Sequence, residues 1–165
     1  SSNGVYQGVE STVAIHLLPP LTLSTTATWM TGEITTDDVT YPGRRIPPFF
    51  GTSSLRYDHP VNDRFFAEFF VDWAGEQDEL HPLDERDLRI CETAYLSGQT
   101  YADNGETCPG SSSWYTLNLR GGVRFMKNAR LVLTLANLTD QKYKPHASGV
   151  YAAGFDGRAT LTVGF

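Results

Sequence analysis

Along most of this chain apolar side chains recur at every second position. Phe65, Ala67, Phe69, Val71 and Trp73 alternate with Phe66, Glu68, Phe70 and Asp72. Tyr115, Leu117, Leu119, Gly121, Val123 and Phe125 alternate with Trp114, Thr116, Asn118, Arg120, Gly122 and Arg124. A period of two predicts strands with one apolar and one polar face. The same alternation runs through 21–30, 49–57, 130–138 and 156–165, and more weakly through 6–17. The pattern therefore predicts seven strands of roughly nine to thirteen residues, longer than the usual ~5–6.

The joints between these strands alternate in length. Those at 18–20, 58–63 and 126–129 are short, and those at 33–46, 75–112 and 139–156 are long. An up-and-down antiparallel sheet with tight turns on one rim and large loops on the other produces this order. Transmembrane β-barrels of bacterial outer membranes have that asymmetry. A soluble β-sandwich also alternates its strands but has no reason to sort its loops by rim.

The aromatics sharpen the choice. Phe49 and Tyr57, Phe65 and Trp73, and Tyr115 and Phe125 sit near strand ends on the apolar faces. Eight to ten residues separate each pair, which is about 19–25 Å along a barrel axis for tilted strands. That matches an apolar band flanked by two aromatic girdles. The opposite faces carry Arg56, Glu68, Asp72, Arg120 and Arg124, which would be costly in a dry core. They are the expected lumen-facing residues.

Composition and charge narrow the class. The 165 residues carry a formal charge of -6 and no Lys/Arg cluster of the kind that neutralises phosphates along nucleic acid. No run of ~18 apolar residues predicts a membrane helix. The start, SSNGVYQGVE, has no initiator Met and no apolar leader, so either a leader has been removed or the chain begins partway through a larger protein. Ala159, Leu161, Val163 and Phe165 form the apolar face of the closing strand, and the terminal Phe165 is expected in the lower girdle.

The stretch LVLTLANLTDQKYKPHASGVYAAGFDGRATLTVGF resembles the C-terminal end of TonB-dependent outer-membrane receptors. Asn137, Leu138, Asp140 and Tyr143 fit its Asn-Leu-x-Asp-x-x-Tyr pattern. His146, Ser148 and Gly149 fit the following His-x-Ser-Gly loop, and Gly157–Arg158 opens the last strand. RRIPPFFGTSSLRY and WAGEQDELHPLDERDLRI are similar to other barrel segments of the family.

The resemblance implies an all-β fold. Residues 1–165 would supply about seven C-terminal strands of an antiparallel up-and-down transmembrane β-barrel of about 22 strands. Plug domain and TonB box are absent from this chain, and seven strands cannot close alone without pairing first and last in parallel. The expected partners are the remainder of the barrel and its plug (in another chain or a missing N-terminal region), TonB through that part, the barrel-assembly machinery and the lipid bilayer. No nucleic acid and no cofactor are implied.

The implied function is TonB-dependent uptake of a scarce nutrient such as a ferric siderophore, haem or cobalamin. The alternatives are a structural barrel piece of an envelope assembly without transport and, behind it, an outer-membrane barrel enzyme. The expected location is the bacterial outer membrane, with the N-terminus outside and the C-terminus at the periplasmic rim. Ala159, Leu161, Val163 and Phe165 resemble the C-terminal signal read by the assembly machinery.

Remaining chemistry is sparse. No G-x-S-x-G motif or argued Ser–His–acid set supports catalysis. The loop at 75–112 is acidic, holding Glu76, Asp78, Glu79, Asp84, Glu85, Asp87, Glu92, Asp103 and Glu106 against Arg86 and Arg89. Its spacing fits no Ca²⁺-loop motif, and it reads as a solvated loop. The four histidines show no metal spacing. His146 and Tyr151, in the last long loop, are candidate ligand contacts, with loop packing the competing role for His146. Cys91 and Cys108 form no C-x-x-C; in an oxidising cell-surface setting, a disulfide is the natural reading. The glycosylation-type triplet at 137–139 is discounted for a bacterial-type protein.

Overall fold

The alternating pattern folds into one antiparallel sheet of eight strands, seen in a computed structural model that describes residues 2–61, 64–91 and 106–164. The strands are β1 (Ser2–Leu18), β2 (Leu21–Thr36), β3 (Val39–Pro42), β4 (Phe50–Asp58), β5 (Phe65–Ala74), β6 (Trp114–Met126), β7 (Ala129–Ala136) and β8 (Asp156–Val163). Their order in the sheet is β1-β2-β4-β5-β6-β7-β8, with β3 a side branch on β2. Among the described residues, β1 and β8 each pair on one side only, so the sheet is open.

The sequence pattern treated 33–46 as a single long joint. The structure continues β2 to Thr36, turns at Asp37–Asp38 and returns along β3. Both aspartates have positive φ, 50° and 65°, a conformation Asp tolerates better than most residues. With that hairpin removed, the joint shrinks to 43–49, while 75–113 and 137–155 remain long. β1 also starts earlier than the pattern predicts, at Ser2.

Register fixes the two faces. One row runs Leu23, Leu55, Phe69, Leu119, Leu135 across five strands, and the row above it contains Thr25, Ser53, Val71 and Leu117. This face is exposed and largely apolar, and its aromatics gather at two levels. Phe49 and Trp73 have ring centroids 5.0 Å apart, with Tyr115 opposite Trp73 in register. Tyr57 and Phe65, at the short-turn end, are 5.9 Å apart.

The opposite face is polar and better covered. Its rows include Thr12, Thr26, Thr52, Asp72, Thr116 and, nearer the short turns, His16, Thr22, Arg56, Glu68, Arg120, Thr134, Arg158. Thr116 and Asn118 are each only 2% exposed, and Ser54, Phe66 and Glu68 are also buried. On β8, Ala159, Leu161 and Val163 share the apolar face with their partners Leu133, Leu131 and Ala129. Phe165, the last member of the expected assembly signal, lies outside the described residues.

Candidate functional site

The three loops of the long-loop rim are tied to one another across the polar face. Asp84, almost fully buried, accepts hydrogen bonds from Arg44 Nε at 3.1 Å and from the Arg45 backbone N–H at 2.6 Å. Arg45 Nη2 donates to Asp87 at 3.2 Å, and Arg89 Nη2 donates to the same carboxylate at 2.6 Å. Hydrogen bonds from Arg89 hold the Asp87 carboxyl well below the usual carboxylate range. Gln77 pairs with Ser111 backbone to backbone and sends its amide to the Ile46 carbonyl at 3.0 Å.

Beneath these contacts the structure joins Cys91 to Cys108. The bridge closes the acidic loop on itself and packs with Ile90, Leu80 and Ala147, which seats that loop against the 137–155 loop. Glu92 and Asp103, counted among that loop's carboxylates, lie outside the described residues. Among the described residues, no three His, Cys, Asp or Glu side chains stand close enough to hold a metal ion.

The 137–155 loop is organised by the residues of the Asn-Leu-x-Asp pattern. Asn137 ends β7 by turning to φ 50°, and Asp140 repeats the conformation at 51°. The Asn137 side chain accepts from Gln141 N at 2.9 Å and donates to the Gln141 and Ala153 carbonyls at 2.8 and 3.2 Å. Asp140 accepts from Phe155 N at 2.8 Å, and a Cβ at Gly154 would collide with that same carboxylate. These bonds return the chain to β8.

Asn118 joins this loop to the sheet. Its Oδ1 accepts from Asn137 N at 2.8 Å, while its Nδ2 donates to Asp72 Oδ2 and Thr116 Oγ1, each at 3.2 Å. Asn118→Leu keeps the branched shape and heavy-atom count but leaves the Asn137 N–H and the Asp72 carboxylate short of partners. We expect it to cost about 1–3 kcal/mol, read as a shift in the urea midpoint.

Under the tied loops lies a groove of about 590 Å³ on the polar face. Pro47, Pro48, Phe50, Trp114 and Pro145 give it apolar walls, and Glu10, Asp72 and His146 give it polar ones. Thr52 Oγ1 donates to Asp72 Oδ1 at 2.6 Å. Such a mixture of flat apolar walls and a few fixed polar groups suits a small molecule.

His146 shares a 2.7 Å hydrogen bond between its Nδ1 and Ser111 Oγ, while its buried Nε2 has no partner among the described residues. Burial pushes its pKa below the usual 6.5, partly opposed by Asp84 and Asp87. Its neutral form is therefore the folded form. The stability it contributes is fully present above pH 6.5 and falls as pH drops through the lowered value. Protection factors for amide exchange in residues 137–155, corrected for the base-catalysed intrinsic rate, should fall between pH 7.5 and 5, and His146→Gln should flatten that dependence.

The expected lumen residues fall into three places. Arg120 donates to Glu68 Oε2 through Nη2 at 2.6 Å and Nε at 3.0 Å, and Arg56 Nη1 lies 3.5 Å from the same oxygen. These three form one network, whereas Asp72 belongs to the groove. Arg124 stands apart at the short-turn rim. His146 and Tyr151 are also separated. His146 lines the groove, and Tyr151 lines a neighbouring cavity of about 330 Å³ that shares Trp114 and Pro145 with it. Lys142 Nζ sits 4.1 Å from the Tyr151 ring centroid, and Tyr143 stacks at 4.2 Å on Trp114, where burial raises its phenol pKa. Sequence reasoning missed Asn118 as a tether and Asp84 as the hub of the loop contacts. Polarity on the better-covered face was the only signal for Asn118, and none marked Asp84 among its acidic neighbours.

A two-faced antiparallel sheet with its long loops gathered on one rim defines an all-β fold of the barrel type, with the sheet open at β1 and β8. Among solved structures, the chain is similar to the copper transporter OprC, with a TM-score of 0.74 and 16% identity. The match covers 98% of this chain and 24% of OprC, so the chain spans about a quarter of that protein's length. No protein-family model and no curated protein sequence matches the chain.

Proposed function

We propose that this chain is the C-terminal part of the barrel wall of a TonB-dependent outer-membrane receptor that imports a scarce nutrient such as a ferric siderophore, haem or cobalamin. Its long loops and N-terminus face outward, and its C-terminus lies at the periplasmic rim. Other polypeptide supplies the rest of the barrel, the plug and the TonB contact.

The observation that carries this reading is the division of the sheet. One face offers apolar side chains between two aromatic levels, as lipid requires. The other offers Arg56, Glu68 and Arg120 in a network below a loop-covered groove. The two single-paired edges, β1 and β8, support completion by further strands, because an open edge in lipid leaves backbone groups unsatisfied. In the complete receptor, Asp72 and His146 meet the cargo in the groove.

The test is growth of the producing cell on one limiting nutrient at a time, across ferric siderophores, haem, cobalamin and copper. Asp72→Asn and His146→Gln should depress growth on one of them by more than any fall in folded receptor at the surface, which is measured alongside. Normal growth on every source after deletion of the whole receptor would favour the structural-barrel alternative.

A further inference from the structure

At the short-turn rim, the sheet aligns cations side by side. Arg124 and Arg130 are direct cross-strand partners on β6 and β7. Arg124 N donates to the Arg64 carbonyl at 2.7 Å, which puts Arg64 on the other flank. Lys127 follows in the β6–β7 turn, and all four side chains are exposed. Like charges placed directly opposite destabilise a sheet. Among the described residues, Arg64, Arg124 and Lys127 make no ion pair, and the Arg130 guanidinium lies 5.1 Å over the Phe66 ring. Asp58 is held by Arg56 through bonds of 2.7 and 2.8 Å. Four cations are thus gathered in a chain whose net charge is -6.

A second observation places this cluster at a particular depth. An open cavity of about 400 Å³ is lined by Arg64, Arg124 and Lys127 together with Phe125 and Met126. Phe125 belongs to the apolar face and Arg124 to the polar face, so the cavity wraps around the rim. Next to it, on the apolar face, stand Phe65 and Tyr57, the lower aromatic level. A ligand seated here touches cations at one end and apolar side chains at the other.

We propose that this rim is a binding site for the headgroup of an anionic phospholipid of the leaflet on the short-turn side. The phosphodiester lies in the cavity between Arg64, Arg124 and Lys127, and the acyl chains run past Phe125 and Phe65 along the apolar face. The inference rests on the membrane-spanning reading above. Cationic clusters at a membrane boundary gain about fivefold in affinity for anionic lipid per charge, and guanidinium matches phosphate oxygens in pairs.

The complete receptor, purified in detergent, is titrated with phosphatidylglycerol or phosphatidylcholine, and retained lipid is counted by native mass spectrometry. Preferential retention of phosphatidylglycerol is expected, dropping about 25-fold in the Arg64→Gln/Arg124→Gln double variant. Lys127→Gln, in an exposed turn, should drop it about fivefold and covers the case in which the double variant fails to fold. Equal retention of the two lipids, or a preference unchanged in the variants, overturns the proposal. Full displacement of phosphatidylglycerol by millimolar inorganic phosphate also overturns it, since the site then reads bare phosphate. Loss of plug docking in the variants with lipid preference intact overturns it in favour of an acidic protein segment. Heat-modifiable migration of the receptor on gels separates these results from failure of the barrel reading itself.

Discussion

An arginine in place of Leu119 should cost the proposed barrel about 2–4 kcal/mol, the expected penalty for a cation at mid-depth on a lipid-facing strand. Leu119 is 43% exposed and stands in the middle row of the apolar face, between Phe69 and Leu135. Leu133→Arg, one row nearer the short turns, should behave similarly. The comparison substitution belongs on the polar face, where Thr28→Arg places the charge directly opposite Glu10 and should cost well under 1 kcal/mol. Thr116 and Thr134 serve less well as controls. Thr116 is buried and hydrogen-bonded to Asn118, and Thr134 lies between Arg120 and Arg158. Folding is read by heat-modifiable migration after urea titration in lipid vesicles. Equal costs for Leu119→Arg and Thr28→Arg would show that both faces meet water, and the membrane assignment would fall.

The second large effect is expected from the loop clamp. Replacing both Cys91 and Cys108 by alanine should destabilise the joined loops by about 3 kcal/mol, the chain-entropy value for a closed loop of this size. The loss should be local, because the bridge packs on Ile90, Leu80 and Ala147 rather than on the sheet. Limited proteolysis should therefore cut the 75–113 segment much faster in the variant while strand amides keep their protection. Two free thiols in the native, unreduced protein, detected by alkylation and mass shift, would contradict the pairing.

How far the sequence carried this picture depends on what kind of contact did the fixing. Strands were legible because burial on one face and polarity on the other imprint period two, as in Phe65–Trp73. The β2–β3 hairpin was not, since its turn is Asp37–Asp38, both with positive φ, in place of the Asn-Gly or Asp-Gly pair that marks such turns. The end of β7 was placed two residues late, although Asn137 breaks the apolar row of Leu131, Leu133 and Leu135 and is a residue type that tolerates the positive φ it adopts. In the site, the polar-face residues were visible one strand at a time, and the Arg56–Glu68–Arg120 network followed once register was known. The Asp84 hub was invisible, because Arg44 lies forty residues away and only the folded loops bring the two together.

The order of the sheet has a consequence for how it assembles. Apart from the β3 branch, each strand pairs with its neighbour along the chain, so the sheet can be laid down one hairpin at a time without threading. The costs of those steps are unequal. Two residues separate β6 from β7, but 39 separate β5 from β6, and closing a longer excursion costs more entropy and slows non-local pairing. The Cys91–Cys108 bridge lies within this excursion and short-circuits sixteen of its residues. By the logarithmic scaling of loop closure, that saves about 0.5 kcal/mol at the slowest pairing, roughly a twofold gain in its rate. An oxidant acting before β6 docks would thus set the tempo at which the C-terminal hairpins join the rest.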